Sequence, residues 1–154
     1  MDENLIIINK LNAFSIRKSL LCIAFIDLIL NFLNLLGSQN IESETEKNVI
    51  MYTSLGLCFI ILLGIIGINR YKINLVYCYF IYSITQFIKY IFILYIFLSY
   101  ISTFILLYIL SFIVTCMILR LTYKFIKCLK SLDNDNIESL QNGWQPLQYR
   151  LVFY

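Results

Sequence analysis

The chain has no histidine, a single proline and five glycines, and only 14% of its residues are charged. The absence of histidine removes the commonest general base and the commonest metal ligand together. No G-x-S-x-G, G-x-x-x-x-G-K-[ST] or H-E-x-x-H motif occurs. The five cysteines include no C-x-x-C pair, and their scatter is not that of a disulfide framework. We therefore expect a protein without enzymatic activity, cofactor or bound metal.

Apolar side chains dominate what is present: 60% of the residues are hydrophobic and the mean hydropathy is +0.80. A soluble domain has about 25% charged residues and could not bury this much apolar surface. No alternating pattern of the kind seen in transmembrane barrels recurs along the chain. The composition predicts an all-α integral membrane protein.

One apolar run, residues 73–119, contains Lys89 as its only charged residue. A single helix of that length would rise roughly 70 Å, whereas the hydrocarbon layer is about 30 Å thick. The run must fold back once, and we place the turn in 98–103, because a turn at Lys89 would leave one arm too short and the other too long. With two further apolar segments, we predict a bundle of four transmembrane helices over 19–36, 49–69, 73–97 and 102–122.

The positive charges alternate along the chain in step with the predicted spans. Three Lys or Arg residues precede the first span, one follows it, two follow the second and four follow the fourth. The positive-inside rule then places both termini in the cytosol. The first span is too long for a signal peptide and has no A-x-A cleavage site, so we interpret it as retained. The predicted parts are a cytosolic segment 1–18, a transmembrane domain 19–130 and a cytosolic tail 131–154.

Ionisable and amide residues inside the predicted spans are the sharpest candidate site. Asp27, Asn31 and Asn34 share one face of the first helix, and Gln86 lies near Lys89 in the third. Counted back from the predicted outer ends of their helices, Asp27 and Lys89 lie roughly 13 Å and 12 Å deep. We therefore predict an Asp27–Lys89 pair, with Asn31 and Gln86 supplying hydrogen bonds. Such a pair fixes helix register, or alternatively serves a proton or ion relay or a contact with a partner subunit.

Small residues lie along one narrow face of the second span. Gly56, Gly64 and Gly67 share this face with Thr53 and allow another helix to approach closely. Packing within the bundle is the predicted use, with dimerisation as the alternative.

An amphipathic extension follows the fourth span. Its basic side is predicted to lie among lipid headgroups, either as a specific site or as ordinary positive-inside anchors. These cations are Arg120, Lys124, Lys127 and Lys130. Cys128 in the same stretch is a candidate for S-acylation, although a small core residue is the alternative interpretation.

The end of the tail contains Tyr149 and Val152 in a Tyr-x-x-hydrophobic pattern. Sorting adaptors read such motifs as an added strand. An aromatic end that packs on the membrane surface is the alternative.

This layout resembles that of the lysosome-associated four-span (LAPTM-like) family of endomembrane proteins: four spans, short loops, both ends inside and a tyrosine motif. The chain departs from it at Pro146-Leu147-Gln148-Tyr149, where that family has Pro-Pro-x-Tyr, and in its shorter second outer loop. The resemblance implies an endomembrane location (Golgi, endosome or lysosome/vacuole) rather than the plasma membrane. It also implies membrane lipids, integral membrane proteins and sorting adaptors as partners, and no nucleic acid.

Three functions follow as hypotheses. The first is a non-enzymatic multi-pass protein that binds other membrane proteins and assists their trafficking or stability. The second is an accessory or regulatory subunit of a membrane-embedded lipid- or sugar-processing enzyme. The third is a small transporter or channel subunit that uses Asp27 and Lys89.

Overall fold

The computed structural model describes residues 3–37, 44–97, 105–144 and 146, and no strand occurs among them. Four long helices are followed by a short one: α1 (Glu3–Gly37), α2 (Glu44–Asn69), α3 (Ile73–Phe97), α4 (Ile105–Lys130) and α5 (Asn134–Gln141). Three segments are long and apolar enough to cross a membrane: Lys47–Asn69, Ile73–Phe92 and Ile109–Lys130. The prediction of an all-α fold is therefore confirmed for the described residues, and the three apolar segments favour a membrane protein.

Buried residues recur on each long helix at the three- and four-residue spacings of a heptad stripe, which turns one face of each helix inward. The stripes contain Ala13, Leu20, Ala24, Asp27 and Asn31 on α1, Ser54, Ile61, Gly64 and Ile68 on α2, Val76, Tyr79, Ser83 and Gln86 on α3, and Thr115, Ile118, Thr122, Phe125 and Leu129 on α4. Helices α1 and α3 each pack against both α2 and α4. Thus α1 and α3 lie diagonally across the bundle.

Helix α1 is one continuous helix of 35 residues, where the sequence predicted a separate cytosolic segment before the first span. No proline or glycine interrupts it before Gly37. Its inward stripe extends back through Ala13, which is fully buried. The N-terminal part is therefore helical because it packs against α4 and α5, as the later part packs in the bundle.

The amphipathic extension after the fourth span is the last part of α4, not a separate surface element. Its cations are exposed, as the sequence predicts: Arg120, Lys124, Lys127 and Lys130. Its apolar side is buried in the core of the protein: Phe125, Ile126, Leu129 and Leu132. The apolar side therefore faces other helices rather than lipid.

A tight turn joins α2 to α3 and marks one end of the bundle, which we call the base and define by Arg17, Tyr71 and Phe125. Tyr71 has a φ of +51°, and the amide of Lys72 donates to the carbonyl of Gly67 at 2.8 Å. This is the left-handed ending that many helices use, here with a tyrosine in the position that glycine usually takes. The turn sends α3 directly back along α2.

The start of the tail folds back onto α1. Gly143 has a φ of +89°, and the amide of Trp144 donates to the carbonyl of Ser139 at 3.0 Å. The ring of Trp144 then lies edge-on to Phe14, with 6.5 Å between the ring centroids. Lys10 Nζ lies 5.6 Å from the Trp144 ring centroid. The tail therefore begins with an ordered helix and turn.

Candidate functional site

A cluster of polar side chains lies in the core, where α1 faces α3. The hydroxyl of Tyr79 donates to Asp27 Oδ2 at 3.2 Å. The amide of Asn31 donates to Asp27 Oδ1 at 3.1 Å and lies 3.3 Å from the hydroxyl oxygen of Tyr82. All four side chains are buried. These contacts join the two helices that lie diagonally across the bundle.

Glycine on α2 makes room for the aromatic half of this cluster. A Cβ atom at Gly64 would lie 2.5 Å from Cγ of Tyr79, closer than real Cβ contacts. Tyr79 in turn stacks on Tyr82, with 5.8 Å between centroids and 17° between planes. Gly64 thus allows α2 and α3 to approach so closely that the Tyr79 ring extends past α2 toward Asp27.

The predicted ion pair between Asp27 and Lys89 is absent from the described part of the chain. Asp27 bonds to Tyr79 and Asn31, whereas Lys89 is exposed and its Nζ lies 5.8 Å from the Tyr90 ring centroid. The reason is register: Lys89 follows Tyr79 by ten residues and Tyr82 by seven, or roughly 10–15 Å of helix rise. Asp27 and Lys89 therefore lie at different depths.

The cluster surrounds one ionisable carboxyl group with neutral hydrogen-bond partners. Each carboxylate oxygen accepts from one neutral donor, and such contacts hold a carboxylate in place without cancelling its charge. A carboxyl group can also exchange a proton with an adjacent hydroxyl. The arrangement is thus suited to holding α1 against α3, and it has the groups that proton transfer requires.

Exposed small and polar residues lie on α2 and α3 away from the base. Gly56 and Gly67 are eleven residues apart, about three helical turns, so they share one flank of α2. At Gly67 a Cβ atom would lie 2.5 Å from Cβ of Leu75, whereas at Gly56 it would meet nothing within 4 Å. Gly67 therefore contacts α3 near the base, whereas Gly56 faces open space.

Lys89 lies on the flank of α3 that carries Leu75, because it follows Leu75 by fourteen residues, or about four turns. Thr53 and Thr85 are also exposed, and their hydroxyls donate to carbonyls of their own helices. We call the residues Thr53, Gly56, Thr85 and Lys89 the α2–α3 surface. Lys89 is the only charged side chain among them.

The base forms a second group of interacting side chains. Arg17 Nη1 donates to the hydroxyl of Tyr71 at 3.1 Å, and the guanidinium carbon lies 5.2 Å from that ring's centroid. Tyr71 also packs against Phe125, with 5.9 Å between centroids. Burial raises the pKa of the Tyr71 phenol, and the smaller effect of the nearby Arg17 charge lowers it. Tyr71 is therefore neutral at physiological pH, and Arg17 contacts both the ring and the hydroxyl of Tyr71.

The other predicted site residues fall in different places. Gln86 is buried one turn beyond Tyr82, and Cys128 is half-buried against the core. The side chain of Asn34 lies outside the described part of the structure, as do Tyr149 and Val152 of the tail motif and the turn at 98–103. In the described ranges no three His, Cys, Asp or Glu side chains are grouped closely enough to hold a metal ion.

Comparison with known proteins finds no matching family model, no similar curated protein and no similar solved structure. The resemblance to the lysosome-associated four-span family stays a prediction drawn from the layout of the chain.

Proposed function

We propose that the chain is a non-enzymatic, four-span endomembrane protein that binds other membrane proteins and assists their trafficking or stability. In this proposal α1 also crosses the membrane, in addition to the three apolar segments of α2, α3 and α4, and both termini are cytosolic, so the base faces the cytosol. The endomembrane location rests on the motif from Tyr149 to Val152.

The α2–α3 surface is the observation that carries the proposal. It combines an exposed glycine, two exposed threonines with internally bonded hydroxyls, and one exposed lysine. Small residues let another helix approach closely within a membrane, and a cation at that depth is stabilised by an opposite charge. The occupant that fits is a transmembrane helix with an Asp or Glu at the level of Lys89.

Replacing Lys89 with methionine tests this interaction. We expect Lys89→Met to weaken the binding of such a partner about fivefold or more, since polar contacts between membrane helices contribute about 1 kcal/mol. The measurement is the amount of each membrane protein that co-purifies in mild detergent from native membranes, quantified by mass spectrometry. Lys89→Arg retains the charge, and Ile88→Met changes an adjacent exposed residue, so both should bind as the wild type does.

A charge exchange makes the test specific. The proteins lost with Lys89→Met should include one with an acidic residue in a span, and Lys89→Glu should bind again when that acid is changed to lysine. Equal recovery of every membrane protein by wild type and Lys89→Met would contradict the proposal.

The accessory-subunit hypothesis uses the same surface but predicts a different partner. The recovered protein would be a membrane-embedded enzyme, and deletion of the chain would remove one lipid or sugar product. The purified chain alone would make none of that product.

A transporter or channel subunit is the second candidate function, and the neutral surroundings of Asp27 favour it. Asparagine keeps an oxygen that accepts from Tyr79 but cannot exchange a proton. We expect Asp27→Asn to stay folded and to lose any proton flux that the wild type supports in liposomes. Asp27→Leu should also lose stability, about 1–3 kcal/mol, because it leaves buried donors unpaired. A flux that survives in Asp27→Asn would exclude this role for Asp27.

A further inference from the structure

A groove of about 400 Å³ lies beside α1 near the base. Four of its lining residues are polar and share one side of the helix: Asn12, Ser15, Lys18 and Ser19. Phe14 and Pro146 close it from the apolar side, so the start of the tail forms one wall. The groove is thus built by two parts of the chain that are distant in sequence.

The polar wall offers donors suited to a phosphate group. An ammonium, two hydroxyls and an amide all donate hydrogen bonds, and lysine binds phosphate as a point charge. Lys18 Nζ lies 5.0 Å from the Phe14 ring centroid, which places the charge at the groove wall.

The position of the groove points to a lipid rather than to a free anion. Lys18 adjoins Arg17 of the base. The apolar segment of α2 ends at the base, and that of α3 begins there. Toward the other end of α1, the same side of the helix exposes Cys22, Phe25, Ile26 and Ile29. A polar groove that continues into an apolar surface matches a headgroup followed by acyl chains.

We propose that this groove binds the phosphate of an anionic phospholipid, with Lys18 as the charged contact and Asn12, Ser15 and Ser19 as hydrogen-bond donors. The site does not depend on the α2–α3 surface or on a protein partner. Its lipid stabilises the packing of Pro146 and α1 against each other.

The test uses the purified full-length chain in detergent, with lipid binding measured by native mass spectrometry. Phosphatidylserine is the probe, and phosphatidylcholine and inorganic phosphate are the comparisons. We expect Lys18→Gln to weaken phosphatidylserine binding about fivefold, as the loss of one basic residue near a membrane surface implies. Lys72→Gln removes an exposed cation of the α2–α3 turn that does not line the groove and should leave binding unchanged.

A second variant tests the groove itself. Ser15→Leu fills it without changing charge and should weaken phosphatidylserine binding at least as much as Lys18→Gln. Equal weakening by Lys18→Gln and Lys72→Gln would show general attraction to the base and overturn the site. Equal binding of phosphatidylcholine, or displacement of phosphatidylserine by inorganic phosphate, would overturn its assignment to an anionic lipid.

Discussion

Gly64→Val should destabilise the bundle by about 1–3 kcal/mol or more, the cost of overpacking a well-filled core. The new Cβ atom would lie 2.5 Å from Cγ of Tyr79 and 2.7 Å from its Cβ. That ring cannot easily move aside, since it stacks on Tyr82 and its hydroxyl donates to Asp27. Either α2 and α3 separate or the Asp27 contact is lost. The measurement is a denaturant titration of the purified protein followed by circular dichroism.

Gly56→Val is the matched control, because it makes the same change in the same helix at a position with nothing within 4 Å. Its stability should stay close to that of the wild type. An equal loss of stability in both variants would mean that valine disturbs α2 by itself and that Gly64 has no special role beside Tyr79.

Tyr71→Gly should also destabilise the protein, although it relieves an unfavourable backbone conformation. Relief of the left-handed φ of +51° is worth about 1–2 kcal/mol. Loss of a buried aromatic ring costs about 3–5 kcal/mol, and this ring is 2% exposed, packed on Phe125 and bonded to Arg17. The net loss should be about 1–4 kcal/mol when these ranges are combined, measured by the same titration.

Tyr71→Phe separates the ring from its hydroxyl. It keeps the packing and removes only the bond from Arg17, so the expected loss is about 1 kcal/mol. If Tyr71→Gly proved as stable as the wild type, backbone strain and not packing would govern the base.

The heptad stripes explain why much of the fold could be predicted. Helix α3 begins at Ile73 and ends at Phe97, the bounds expected for the third span. Asp27 and Asn31 are buried, as their spacing on one face of α1 predicts. Continuous apolar runs and helical periodicity are local properties, and both can be read without knowing how helices pack.

The Asp27–Lys89 pair could not be predicted correctly, because depth was counted from helix ends that were assumed to be level. The contacts of Asp27 and Asn31 place Asp27 level with Tyr79 and Tyr82 of α3. Helix α1 ends ten residues after Asp27, and the same advance along α3 reaches residues 89–92. Helix α3 continues beyond that level to Phe97. Register between helices depends on contacts such as Gly64 with Tyr79; the sequence of α2 marks the glycine, but nothing in the sequence identifies Tyr79 as the residue it meets.

The left-handed conformation of Tyr71 and the contact of Trp144 with Phe14 could not be predicted for a similar reason. Turn signals in a sequence come from glycine, proline and asparagine, and Tyr71 takes a left-handed conformation that few bulky residues adopt. Aromatic residues in a chain with this composition are too common to mark a site individually. Trp144 becomes informative only through its contact with Phe14.

That contact gives the protein an intrinsic fluorophore at a useful place. Trp144 is the only tryptophan in the chain, and its indole lies between Phe14 and the ammonium of Lys10. Its emission wavelength and quenching therefore report on the junction of tail and bundle alone. Detachment of the tail would register as a red shift in unlabelled protein, provided that excitation is at the long-wavelength edge of indole absorption, where the twelve tyrosines absorb little.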